Sequence, residues 1–415
     1  VSSSSFLLTA FIIYNIAFLG FVISVAGRKF AVDDPAAYSR RWGNISLGLT
    51  VAGFLAHVVF FITRWAEAGH IPTSNMYEFM TFLGMMTTLA FIVLYLIYRA
   101  AVLGIFALPI SVIIIAYASV FPREVQPLIP ALQSYWLKIH VTTAALGEAF
   151  FAVGFAAGIL YLLQAVDFSA KDKASRREQR GVEFTLFTLL TVISFVVAVF
   201  GFNAAGYHAS FSNEVTYVDS NKVEQTVTQT VEYVLPPIFK PHEGQLIEMK
   251  PFFGMTDAPF EAPSWMEGSN AGRKLNTVVW SLLLGTLLYA LLRLVLRKSL
   301  GAALQPLTKG MDNEDVDEIG YRSIAIGYPI FTLGALIFAM IWAHEAWGRF
   351  WGWDPKEVWA LIVWLFYAAY LHLRLSRGWQ GKKSAWLSVI GFLIVMFTLI
   401  GVNLIIAGLH SYAGV

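Results

Sequence analysis

Ten separate apolar runs, each close to the length of a membrane crossing, leave this chain few folds to choose from. A helix needs about 20 residues to span the hydrocarbon core of a bilayer. Such runs recur over 6–26, 45–65, 77–98, 101–120, 139–165, 184–204, 276–297, 323–343, 358–375 and 384–409. In lipid each run must satisfy its own backbone hydrogen bonds, which predicts an all-α polytopic membrane protein of about ten transmembrane helices. The composition agrees: 57% of the 415 residues are hydrophobic and 13% charged, against roughly 45–50% and 25% in soluble domains. The first run lacks a basic start and a small-residue cleavage site, so no cleavable signal peptide is expected. A net charge of +2 gives no sign of nucleic acid as a partner.

Lysine and arginine set the expected orientation. Loops 27–44, 99–100, 166–183, 293–322 and 374–383 hold 19 of the 29. These loops are read as cytoplasmic, with both termini outside. Residues 205–275 then form one long outward segment. Its stretch VTYVDSNKVEQTVTQTVEYV alternates with period two around Asp219-Ser220-Asn221, which predicts a small β-hairpin cap followed by proline-rich irregular chain. The acidic run MDNEDVDEIGYR is expected to lead into the eighth span. Three regions result: 1–168 with helices one to five, 169–312 with an inserted helix pair and the outer segment, and 313–415 with helices eight to ten.

Cysteine is absent, which removes disulfides, iron–sulfur clusters and thiolate ligands from the chain's own chemistry. If the protein works on thiols, the sulfurs come from its partner.

Six tryptophans fall within 23 residues, WAHEAWGRFWGWDPKEVWALIVW, from Trp342 to Trp364. One or two at a bilayer interface are ordinary, because the ring is apolar and its N–H seeks a polar partner. Six, interrupted by Gly348 and Gly352, read as a flat aromatic platform for a large planar ligand. Trp347 and Trp351 are four apart, on one face if the segment is helical, and the glycines allow close approach. Asp354, Pro355 and Glu357 also have a reading without a ligand, as cap, first residue and third residue of the following helix. Arg349 and Lys356 suit carboxylates, including those of a haem, as well as lipid headgroups.

The eight histidines divide by depth. His140 opens the fifth span and His410 closes the tenth, both at the outer interface. His57 lies mid-membrane in the second, and His372 near the cytoplasmic end of the ninth. An isolated histidine at a helix end is commonly just an interfacial polar residue. Ionisable groups inside a membrane, however, tend to face a cavity or ligand. Two outer histidines flanking an aromatic shelf suit bis-imidazole ligation of a haem iron.

The run Trp347-Gly348-Arg349-Phe350-Trp351-Gly352-Trp353-Asp354 resembles the tryptophan-rich "WWD" signature of haem-handling membrane proteins in cytochrome c maturation. Three further stretches, GHIPTSNMYE (Gly69 to Glu78), LQSYWLKIHV before the fifth span and GVNLIIAGLHSY at the end, resemble the CcsA/ResC type of system II cytochrome c synthase subunit. The resemblance covers about 30–165 and 315–415 and weakens between about 170 and 312. It implies that His140 and His410 are the outer axial ligands of haem b. It makes His372 a transmembrane haem contact with His57 as its possible counterpart, a role the companion subunit can also fill. Trp342, Trp347, Gly348, Arg349, Trp351, Gly352, Trp353 and Asp354 would form the haem surface.

A haem lyase is the expectation that follows. Haem would move outward from His372 to the shelf, where its vinyl groups meet the Cys-x-x-Cys-His thiols of apocytochrome c. No side chain acts as nucleophile; His140, His410, Trp347, Trp351, Trp353 and Asp354 position the reactants. Implied partners are a CcsB/ResB-type membrane subunit, apocytochrome c and a thiol-reducing thioredoxin-like protein. The implied location is a bacterial inner membrane, with the site on its periplasmic face. Two alternatives use similar residues: a haem exporter without ligation activity, and a quinol oxidoreductase subunit with permanent b-type haem. The second calls for four histidines on two helices, a pattern the sequence lacks.

Overall fold

The computed structural model describes residues 3–29, 34–121, 123–125, 133–218, 224–264, 271–309 and 311–402. Among them are ten helices long and apolar enough to cross a membrane, as the apolar runs predict. They are α1 (Ser3–Ala26), α2 (Pro35–Ala68), α3 (Met76–Tyr98), α4 (Ala101–Ala118), α5 (Tyr135–Ala165), α6 (Lys173–Ala204) and α7 (Ala271–Leu296). A short α8 (Leu300–Leu304) precedes α9 (Asn313–Phe331), which continues through a π-helical segment, Thr332–Phe338, into α10 (Ala339–Trp347) as one 35-residue span. The last two spans are α11 (Pro355–Arg377) and α12 (Lys382–Met396), the latter ending in a second π segment, Phe397–Gly401.

The described residues divide into two compact units, the first holding 3–185 and 298–402, the second Leu186–Arg297. At the centre of the first is α5, with 89% of its apolar stretch buried. Small residues explain how α9 comes so close to it. Gly147 and Gly154 on α5 are seven apart, as are Gly320, Gly327 and Gly334 on the facing span. A Cβ at Gly147 would lie 2.7 Å from the Phe331 nitrogen, and one at Gly334 would collide with the Ala144 backbone. Such backbone contact is how membrane helices gain van der Waals energy where lipid supplies no hydrophobic drive. Ser323 adds a hydroxyl donated to the Phe150 carbonyl, and Ser388 of α12 donates to that of Gly154 at 2.7 Å.

Helix ends follow local chemistry. Asp34 caps α2, Pro35 occupies its first position, and Gly69 closes it in the left-handed conformation at φ 71°. The next residues, Ser74 to Glu78, are held by polar contacts. Asn75 caps α3 through the Glu78 N–H. The Glu78 carboxylate accepts from Ser74 (2.7 Å) and pairs with Arg64 (2.9 Å). The acidic run indeed enters a span, with Asp312 as the cap of α9. At the other end of this bundle Arg374 pairs with Asp317 at 2.6 Å, tying α11 to α9.

In the second unit β1 (Ala209–Val218) and β2 (Glu224–Tyr233) form the expected antiparallel hairpin, paired from Ala209↔Tyr233 to Val218↔Glu224. Its turn at Asp219–Asn221 lies outside the described residues. Between β2 and β4 comes the short β3 (Phe239–Lys240). A strand not anticipated from the sequence, β4 (Gln245–Met249), pairs with the free edge of β1, and β5 (Phe260–Glu261) runs parallel to β3. Tyr207, Ala209, Phe211, Val231, Tyr233 and Ala258 make its core.

Candidate functional site

His140 lies in the second turn of α5, whose start is capped by Ser134 accepting from the Trp136 and Leu137 N–H groups at 3.1 and 3.4 Å. Its Nδ1 lies 2.9 Å from the Gly334 carbonyl oxygen. A carbonyl only accepts, so Nδ1 carries a proton, and in the neutral ring the lone pair is then on Nε2. This is the tautomer in which an imidazole binds a metal, held by the second hydrogen bond that metal-binding histidines generally make.

Gly334 can serve His140 for two reasons. It has no side chain to hold α5 off, and it sits in the π segment, where the Ala339 N–H reaches back five residues to the same carbonyl. π turns inside α-helices occur frequently at functional sites. Nothing in the single-histidine reading of the sequence pointed to Gly334. The seven-residue glycine spacing was the available signal.

The imidazole stacks on Trp342, with ring centres 5.8 Å apart and planes 13° from parallel. Trp342 is itself buried and packs against Trp347 at 4.8 Å and 61°. There the helix stops: Gly348 takes the left-handed conformation, and its N–H closes on the His344 carbonyl at 2.9 Å. Residues 348–354 are non-helical, so Trp347 and Trp351 do not share a helical face. A glycine one residue past a helix end is a regular stop signal, and here it overrides the four-residue spacing.

The tryptophans also do not form one flat platform. Trp351 and Trp353 meet edge-on at 5.9 Å and 85°. Trp353 is 69% exposed and has a positive φ of 57°. Arg349 is exposed, and a Cβ at Gly352 would meet its guanidinium at 2.7 Å. Trp351 differs from these: its indole Nε1 is buried with no hydrogen-bond partner. Deeper in α11, Trp364 is already satisfied, donating to Thr332 Oγ1 at 3.0 Å and stacking on Tyr328.

The start of α11 is built as its residues predict. The Asp354 carboxylate accepts from the Lys356 N–H at 3.2 Å. The Glu357 carboxylate reaches back to the N–H groups of Asp354 (3.1 Å) and Gly352 (2.8 Å), with Pro355 at the first position. This box therefore fixes the loop that carries Trp351 and Trp353.

The remaining candidates are dispersed. His410 lies outside the described residues. His57 is fully buried, its Nδ1 3.4 Å from the Tyr14 hydroxyl of α1 and its Nε2 buried without a partner. His372 is exposed along α11, in a stripe with Leu365, Ala369 and Leu375. The structure thus brings His140, Trp342 and Trp347 together, while His57 and His372 face different surroundings. Sequence reasoning also passed over Glu148, two turns along α5 from His140. Its Oε2 and the hydroxyl of Tyr367 are both buried without partners. An acid within an apolar run was the signal.

Comparison with known proteins gives a consistent picture. The family model described as cytochrome C assembly protein matches residues 73–206 and 277–410. Those stretches take in α6 and most of α7, and the chain between them is 207–276. The chain is similar to proteins named cytochrome c biogenesis protein CcsA. It is 32% identical over 371 residues to that of Nostoc punctiforme, covering 88% of this chain and 87% of the relative. Identity is 32% to that of Microcystis aeruginosa, with 88% and 86% covered. To that of Gloeobacter violaceus it is 29%, with 89% and 86% covered.

Proposed function

The chain belongs to the CcsA-type family of cytochrome c biogenesis membrane proteins, and on that premise we propose that it is the haem-positioning component of a cytochrome c haem lyase. The observation that carries this reading is the His140–Gly334 hydrogen bond beside Trp342, which fixes an imidazole by its Nδ1 against an aromatic cluster. Two further features fit haem b. The orphaned Nε1 of Trp351 is a donor suited to a haem carboxylate, and Gly348 leaves open space where a side chain would stand.

In this proposal His140 and His410 are the axial ligands, and Trp342, Trp347, Trp351 and Trp353 line the haem, with Asp354 fixing their loop. Arg349 supplies charge to its carboxylates. His372, on the exposed stripe of α11, meets haem on its way outward together with a CcsB/ResB-type companion, and His57 lies within the bundle as a further contact. Haem bound here is substrate. Its chemistry is the addition of each cysteine S–H of apocytochrome c across one vinyl C=C. A C–S bond forms and the hydrogen goes to the neighbouring carbon, with no net redox change. This chain's part is to hold the acceptor still; fixing two reactants in register lowers a barrier by roughly 7–11 kcal/mol. A thioredoxin-like protein keeps the substrate thiols reduced. The Lys and Arg distribution supports an orientation with both termini, and the site, on the outer side, which in this proposal is the periplasmic face of a bacterial cytoplasmic membrane.

The test is co-expression with the companion subunit and an apocytochrome c in a host lacking its own maturation machinery. Covalently attached haem is expected with the native chain, little with His140→Gly, and partial recovery when imidazole is added. Undiminished attachment in His140→Gly would overturn the ligand assignment. Haem bound by the native chain but never attached would make it an exporter.

A further inference from the structure

A loop of the second unit ends in an exposed aromatic tip. Residues Phe252 to Met255 form a tight two-residue turn, closed by the Phe252 N–H to the Met255 carbonyl at 3.1 Å and the reverse bond at 2.9 Å. Both central residues have positive φ, 45° at Phe253 and 84° at Gly254. Turns of this kind favour asparagine, aspartate or glycine at both positions, and a bulky residue at positive φ is an outlier. Phe253 is also 94% exposed. A strained aromatic with so little cover from its own chain calls for a contact outside it.

The level of the tip in the membrane says what that is. Lys250 Nζ donates to the Ala205 carbonyl at 2.8 Å, fastening the loop to the end of α6. Phe252 packs on Phe202 at 5.5 Å and on Trp280 at 6.0 Å, and Phe253 sits on Phe252 at 4.6 Å. The charged residues of α6 all lie in its first turns, up to Glu183, and Phe202 ends the apolar run that follows. It marks where the helix leaves hydrocarbon. Trp280 stands near the corresponding start of the apolar run of α7, its Nε1 donating to the Pro236 carbonyl at 2.7 Å. An apolar ring with a polar handle is the usual arrangement in the interfacial belt. Only 6% of the apolar stretch of α7 is buried within the protein, so acyl chains reach the level of Trp280.

We propose that the Phe253–Gly254 tip is a membrane anchor, its ring bedded among the lipid headgroups and upper acyl chains beside the ends of α6 and α7. The occupant of this surface is the bilayer itself. Burial of the ring there offsets the strain of the turn, and the tip holds the β segment down against the membrane.

Because the native chain has no cysteine, one introduced thiol reports one position. The full chain carrying Phe253→Cys is spin-labelled in phosphatidylcholine–phosphatidylglycerol nanodiscs. Collision with oxygen, which partitions into lipid, is compared with collision with a water-soluble nickel chelate. Gln245→Cys, exposed on β4, is the aqueous reference, and Leu287→Cys on α7 the lipid reference. The oxygen-to-nickel ratio at 253 is expected several-fold above that at 245 and below that at 287. Thr256→Cys, on the flank of the turn, gives an intermediate ratio and serves if the first variant disturbs the turn. Ratios at 253 and 256 equal to that at 245 overturn the proposal. So does a label at 253 that becomes shielded from both reagents only when a second protein is added.

Discussion

At the scale of single residues, the site is governed by which polar atoms already have partners. A buried donor left unpaired costs about 1–3 kcal/mol, and Trp351 Nε1 is such a donor. Trp351→Phe should therefore raise the thermal stability of haem-free protein while lowering haem retention, since a hydrogen bond to a charged acceptor contributes about 1.5–3 kcal/mol. Trp364→Phe, which breaks the bond to Thr332, should lower stability and leave haem content per folded protein unchanged. Equal haem loss in both variants would assign the tryptophans to folding alone. In the second unit, His208 lies 3.0 Å from the Glu248 carboxylate, which holds its pKa above the ordinary 6.5. The folded state thus favours the charged ring. Its small contribution is in force below pH 6.5 and fades as pH rises through the folded pKa. Both groups are exposed, so the effect is read best by an NMR titration of the ring, and Glu248→Gln should bring the midpoint down toward 6.5.

At the scale of elements, the spans and the start of α11 were legible because their signals are local: apolar length, and Asp-Pro-x-Glu at a helix start. What was not legible depends on partners distant in sequence. The π segment is set by the approach of α5 to Gly334, and β4 by the unfilled edge of β1; neither leaves a periodic trace in its own residues. The non-helical path from Gly348 was half legible, since a glycine at that place is a stop signal that competes with four-residue spacing. The π segment also sets which way the tryptophan end of the span faces. Inserting one alanine after Phe338 should turn everything beyond it by about 100°, carrying Trp342 off the ring of His140. A membrane-inserted protein with as little haem as His140→Gly is the expected outcome, measured as haem per folded chain. Normal haem would mean that the stacking has no part in binding.

At the scale of the whole molecule, the ten spans were readable, while the direction in which they cross rests on charge alone. Single-cysteine variants settle direction. Thr256→Cys should react with a membrane-impermeant maleimide in intact cells, and Lys171→Cys only after lysis; the reverse pattern would invert the topology and move the tryptophan loop inside. Recognition of the family came from short motifs, but the geometry behind them, an α5–α9 contact through glycines, was hidden because glycine carries no hydropathy signal. That contact has a bearing on traffic. Where two backbones touch and a serine hydroxyl bridges them, no gap can open for a macrocycle without unzipping the centre of the bundle. The two helices behave as a closed wall; under the proposed function, a planar cargo would therefore pass at the perimeter of the bundle, where His372 is exposed on α11.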